Sequence, residues 1–314
     1  MKRRSSLLLV MALALTAIFA ISGIASAANY RFVIVPKVVH PWFDLVHKGA
    51  LEQARLLEQL TGDRIQIDYR APSSADVVMQ NNILEQAAAT RASGIAIDPL
   101  DIDGNRAVIE SVMRAGVPVI FFDAKAPDDL GVTSVGNDFA EQATIACERL
   151  VEILGGQGKV AIMHGVPTAP NHVERYEAHK ACLAKYPGIQ IVAEGIDNDD
   201  IETAQRQAAA IMAAHPDLDG FLAVNAAGPI GIGLAIKEAG KVGRVHHVGL
   251  DNLDQLFDLI EEGVVDSSSS TKPEMQGAWA VLALYMQAKG QPLPKWIDTG
   301  IAVITRDNLD QYRY

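Results

Sequence analysis

Positive charge is in short supply. The 314 residues include 27 Lys and Arg against 38 Asp and Glu, a formal net charge of −11, and no segment gathers the basic residues into a face. Nucleic-acid binding needs such a face and is excluded. Beyond residue 27 no apolar stretch is long enough to cross a bilayer. Catalytic fingerprints are missing as well: there is no G-x-x-x-x-G-K-S/T, H-E-x-x-H or G-x-S-x-G. Gly228, Gly231 and Gly233 follow a strand candidate but are not spaced as G-x-G-x-x-G, and read as close helix packing. His246 and His247 are consecutive in a strand candidate, so they point to opposite faces and cannot share a metal. The chain is therefore read as a non-enzyme, with no catalytic residues, no metal and no cofactor.

Cysteine is scarce too. Only Cys147 and Cys182 occur, on helix candidates flanking one strand candidate. An oxidising compartment allows them to pair; two separate buried thiols are the alternative, because spacing alone does not fix connectivity.

What is present begins with a leader. Lys2, Arg3 and Arg4 precede an apolar run from Leu7 to Ile24, broken at Ser22 and Gly23, and Ala25-Ser26-Ala27 closes it. That order is a secretory signal peptide, with cleavage expected after Ala27 and the remainder free in the periplasm. The remaining length suits two lobes of ordinary size.

Short apolar runs alternate with amphipathic segments. Strand candidates are Phe32–Val35, Ile65–Tyr69, Gly94–Ile97, Val117–Phe122, Lys159–Met163, Ile189–Glu194, Gly220–Val224 and Val245–Leu250. Most are apolar on consecutive residues, as in parallel strands buried on both faces. Helical patterns lie at Asp76 to Arg91, Asn105–Ala115 and Ala140–Leu154. Regular alternation of this kind predicts doubly wound α/β sheets. Ser267–Ser270 reads as a loop of turn formers or a crossing between lobes. Trp279 reads as core within Gly277–Ala288, and Trp296 as packing at or beneath a lobe crossing.

In open α/β sheets, ligands bind beyond the carboxyl ends of the strands. Lys37 and His40 follow the first strand candidate, Asp98 the third and Asp123 the fourth. In the second half Asn171, His172, Asn225 and Asp251 hold comparable positions. Any one Asp or Asn there is explained by helix capping; their recurrence in both halves points to a site. Between the first strand and its helix, His40-Pro41-Trp42-Phe43 places two aromatics where they either pack in the core or face the apolar side of a sugar ring.

These segments carry a resemblance. Pro36–Phe43 resembles the first loop of the ribose-binding-protein-like family of periplasmic solute-binding proteins. Ile97-Asp98-Pro99, Val117–Asp123, Val135-Gly136-Asn137-Asp138, Ala223-Val224-Asn225 and Val248–Asp251 resemble its later motifs, in order over the whole mature chain. The resemblance implies a type I periplasmic binding protein, with two doubly wound parallel-sheet lobes joined by a three-strand hinge. It implies lobe one over 28–137 plus about 272–295, lobe two over 138–271 plus about 296–314, and a ligand in the cleft. The family's contacts carry over to His40, Trp42, Phe43, Asp98, Asp123, Asn171, Asn225, Asp251 and Thr271. Two departures bear on the ligand. Ala124 stands where ribose binders carry Arg, and a second family Arg falls on Val173, with Arg175 nearby but expected to face differently. Arg forks bind two ring oxygens at once, so their absence argues against ribose itself; Lys37 supplies a point charge instead. The implied function is capture of a small sugar, polyol or related polyhydroxy compound by a monomer serving the membrane permease of an ABC importer. The alternative output is a ligand-sensing receptor for chemotaxis or quorum signalling, with an autoinducer-type ligand.

Overall fold

The computed structural model describes residues 27–313. Apart from Ala27, the expected leader lies outside the described residues. Among those residues no helix is long and apolar enough to cross a membrane.

The first half alternates β1 (Asn29–Val35), α1 (Pro41–Thr61), β2 (Arg64–Tyr69), α2 (Val77–Ala89), β3 (Gly94–Ile97), α3 (Ile102–Arg114), β4 (Val119–Phe122) and β5 (Ser134–Gly136). With β12 (Trp296–Asp298) these strands form one parallel sheet in the order β12-β5-β4-β3-β1-β2. The inner strands β3 and β4 are buried along their whole length, because α1 and α9 (Pro273–Ala288) cover one face and α2 and α3 the other. Helices α1 and α9 touch backbone to backbone: a Cβ on Gly49 would collide with the Glu274 carbonyl, and one on Gly277 with that of Val46.

The second half contains α4 (Phe139–Ile153), β6 (Gln157–His164), α5 (Pro170–Leu183), β7 (Gly188–Ile196), α6 (Ile201–Ala214), β8 (Gly220–Ala223), α7 (Ala227–Glu238), β9 (His246–His247), β10 (Gly249–Leu250), α8 (Asp254–Glu261), β11 (Ser267–Ser270) and β13 (Ala302–Thr305). A parallel sheet runs β7-β6-β8-β9, and a three-stranded sheet runs β10-β11-β13. The expected strand Val245–Leu250 is thus split between two sheets at Val248. His246 and His247 do face opposite ways, half-exposed and buried. A disulfide joins Cys147 of α4 to Cys182 of α5. Gly231 packs α7 onto α6, where a Cβ would lie 2.5 Å from the Ile201 carbonyl oxygen.

Two expectations change. Ser267–Ser270 is no loop of turn formers but a fully buried strand. Two of its hydroxyls find backbone partners, Ser268 donating to the Asp251 carbonyl at 2.6 Å and Ser270 to that of Thr271 at 2.7 Å, and Ser267 donates to the Asp266 carboxylate at 2.8 Å. Trp279 is 38% exposed rather than core, because α9 turns the opposite side to α1. Trp296–Asp298 pairs with β5 in the first sheet. The Trp296 ring covers Gly136.

Candidate functional site

Parallel pairing delivers the first set of side chains to one edge. β3 pairs with both β1 and β4, so Lys37, Asp98 and Asp123 emerge side by side beyond the strand ends. The Lys37 ammonium, 1% exposed, lies 3.0 Å from Asp98 Oδ2 and 3.4 Å from Asp123 Oδ2. Gln80 braces the edge, donating to the carbonyls of Pro36 and Asp98 at 3.0 and 2.8 Å. Asp123 adopts a left-handed backbone, φ 50°, a conformation Asp tolerates and functional sites retain.

His40 caps α1, its Nδ1 accepting from Trp42 N–H at 3.1 Å. Pro41 at the first helical position suits that start. Trp42 and Phe43 are buried, edge to face at 5.1 Å, and both line the cleft. The rings belong to the core of the first half and also border the cleft. Trp42 Nε1 donates to Thr271 Oγ1 at 3.1 Å, and Thr271 Oγ1 donates to Asp251 Oδ1 at 2.6 Å.

Helix α5 presents one buried face of Asn171, His172, Arg175 and His179. Asn171 bridges the halves, accepting from Lys37 Nζ at 3.2 Å and donating to Asp123 Oδ2 at 2.5 Å. His172 Nδ1 accepts from Val166 N–H at 2.9 Å. Asp251, at φ 71° beyond β10, accepts from Gln142 Nε2 at 3.4 Å, and Gln142 Oε1 accepts from Arg175 Nε at 2.8 Å. Asn225, beyond β8, donates to Asp197 Oδ1 at 2.7 Å.

All eleven expected site residues thus converge. Arg175 is the correction: it lines the cleft, stacked 4.8 Å from the Phe139 ring, whereas Val173 is 37% exposed. Counting one helical turn from Asn171 finds it. Ala124 is buried in the first half's core and presents no side chain that could replace an arginine. Asp197 and Asp199, beyond β7, are buried here as well, and Asp199 lines the cleft although no strand-end position in the sequence points to it.

The halves meet over a cavity of about 10 Å³, room for about one water. Thr168 Oγ1 donates to the Leu100 carbonyl at 3.1 Å, Leu100 packs with Val166 and Ala169, and Lys125 pairs with Glu174 at 3.0 Å across the mouth. The enclosure sets the electrostatics. Burial pushes the Asp98 carboxyl well above the usual range, with Lys37 opposing. Burial also raises Asp123, opposed by Lys37 and then Arg175. For Lys37 burial works downward, but Asp98, Asp123 and Asp199 outweigh it and its pKa is raised. Burial, then Lys37 and Arg175, hold His172 well below its ordinary value and so neutral. Among the described residues no group of three or more His, Cys, Asp or Glu is arranged to hold a metal ion. The arrangement can instead offer carboxylates, amides and two cations to a polar ligand between aromatic walls.

A family model described as a periplasmic binding protein domain matches residues 31–292. The chain is 26% identical over 301 residues to the D-ribose/D-allose-binding protein of Pseudomonas aeruginosa, covering 93% of this chain and 94% of that one. It is 23% identical over 304 residues to the xylose/arabinose-binding protein of Sulfolobus acidocaldarius, covering 90% and 73%. Among solved structures, an ABC transporter solute-binding protein from Burkholderia graminis in complex with D-arabinose superposes with a TM-score of 0.86 at 27% identity, covering 93% of this chain and 100% of that one.

Proposed function

Because this chain belongs to the periplasmic binding protein domain family, we propose that it captures one small sugar or polyol by closure of its two lobes, without transforming it. It hands the ligand to the membrane permease of an ABC importer. One observation carries the reading: buried polar groups from the strand ends of both halves meet each other, Lys37 with Asn171 and Asn171 with Asp123. Those groups fill one another's hydrogen-bonding capacity when the cleft is shut. A ligand's hydroxyls take over the same donors and acceptors when the lobes close on it. Hydrogen bonds to charged groups contribute about 1.5–3 kcal/mol each, so several suffice for tight binding after ordering costs.

The relatives are named for sugar binding and import, which favours the importer over a signalling output. Arg175 adds a second cation to the cleft wall, its Nε and Nη1 held by Gln142 Oε1 and the Val224 carbonyl, so a neutral sugar ring meets a positive charge there as well as at Lys37. The protein acts as an exported monomer, its leader removed after Ala27. Thermal shift of the purified protein against D-ribose, D-allose, D-xylose, xylitol and myo-inositol tests the reading, since ligand stabilisation grows with occupancy. A rise with at least one supports it; flat curves with all five overturn it.

A further inference from the structure

The turn after β7 forms a wall of the cleft. Asn198 and Asp199 both adopt left-handed backbone, φ 54° and 63°. Asp197 holds the turn in place, its Oδ1 accepting from Asp199 N–H at 2.8 Å and from Asn225 Nδ2 at 2.7 Å. That leaves the Asp199 carboxylate free of the scaffold. It lines the cleft at 8% exposure, and its Oδ1 is buried without a partner. From the other lobe His40 lines the same cleft at 5% exposure. Its Nδ1 accepts from Trp42 N–H, so the proton sits on Nε2, which is also buried and unpartnered. A buried acceptor and a buried donor left unmade are costly, and a hydroxyl satisfies both kinds at once. Carboxyls also outnumber cations: Asp98, Asp123, Asp197, Asp199 and Asp251 are buried in the same region as Lys37 and Arg175.

We propose that Asp199 is a specificity-determining residue, its carboxylate accepting from ligand hydroxyls on the lobe-two side and making the cleft refuse polyhydroxy acids. This rests on the sugar- or polyol-binding reading above. The surplus of carboxyls needs donors from the ligand. An aldonate offers the same hydroxyls but adds a like charge beside buried carboxyls, where screening by solvent is weak.

Isothermal titration of the purified protein is the test, with D-ribose, D-allose, D-xylose, xylitol and myo-inositol beside D-ribonate and D-xylonate. The wild type binds a neutral member at least about 100-fold more tightly than either acid, the size of a lost charged hydrogen bond plus repulsion. Asp199→Asn tolerates the left-handed turn; it weakens the neutral ligand at least about tenfold and narrows the gap to the acids. Asp199→Ala weakens it further. An acid bound by the wild type within tenfold of the best neutral ligand overturns the proposal, and that arm needs no variant. So does neutral affinity unchanged within about twofold in both variants, while the binding reading stands. If the wild type binds none of the five neutral compounds, the binding reading falls and takes the proposal with it.

Discussion

Lys37 is the only cation within 3.5 Å of Asp98 among the described ion pairs, and replacing it by Met isolates what that charge does. Lys37→Met keeps the length of the side chain against Phe43 but leaves two carboxyls buried beside each other. Removing one partner of a buried pair costs about 3–5 kcal/mol, or about 6–20 °C in melting temperature for a chain of this size. The cost depends on pH. Burial raises Asp98 and Asp123, and without Lys37 both rise further. A carboxyl with a raised folded pKa contributes stability that is complete below its unfolded value and is lost as pH rises through the folded value. The loss in the variant is therefore largest at pH 8 and shrinks toward pH 4–5, where the acids hold their protons. Denaturant titrations of wild type and Lys37→Met at pH 5 and 8 measure it. A loss below about 1 kcal/mol at pH 8, or one that grows on acidification, refutes the ion-pair account.

Other perturbations separate binding from folding. Asp123→Ala abolishes the thermal shift given by the best sugar or polyol while the ligand-free protein still unfolds cooperatively; a preserved shift would remove Asp123 from the site. Arg175→Met weakens that ligand by about 10–100-fold, the loss of a charge-assisted hydrogen bond, and calorimetry reads it. Cys147→Ser with Cys182→Ser opens a loop with a sequence separation of 35 and costs about 2–4 kcal/mol in denaturant stability, with affinity unchanged. Gly277→Val separates α1 from α9 and lowers the melting temperature without altering ligand preference at matched occupancy.

Much of the architecture was legible because parallel strands buried on both faces are apolar at every position, as in Gly94–Ile97 and Gly220–Ala223. Their ends then point to Lys37, Asp98, Asp123 and Asn225 by position alone. The short strands were not legible: Ser134–Gly136 and Trp296–Asp298 span three residues each, too few for a period. The buried β11 is all serine, so small hydroxyl side chains stand where hydrophobic ones would signal a strand. Arg175 is legible only along the helix, where it shares a buried face with Asn171, and not from the exposed Val173 beside it. Asp199 was hidden because β7 is partly exposed and alternates irregularly. Its visible apolar stretch stops at Glu194, and the acidic turn beyond Ile196 looked like ordinary loop.

Capture without transformation is most directly tested by titrating the purified protein with the best-binding sugar or polyol of the panel and recovering the ligand. The account predicts one ligand per chain and, after denaturation of the complex, the same compound returned intact by NMR. Binding at some other ratio, or recovery of an altered compound, contradicts it.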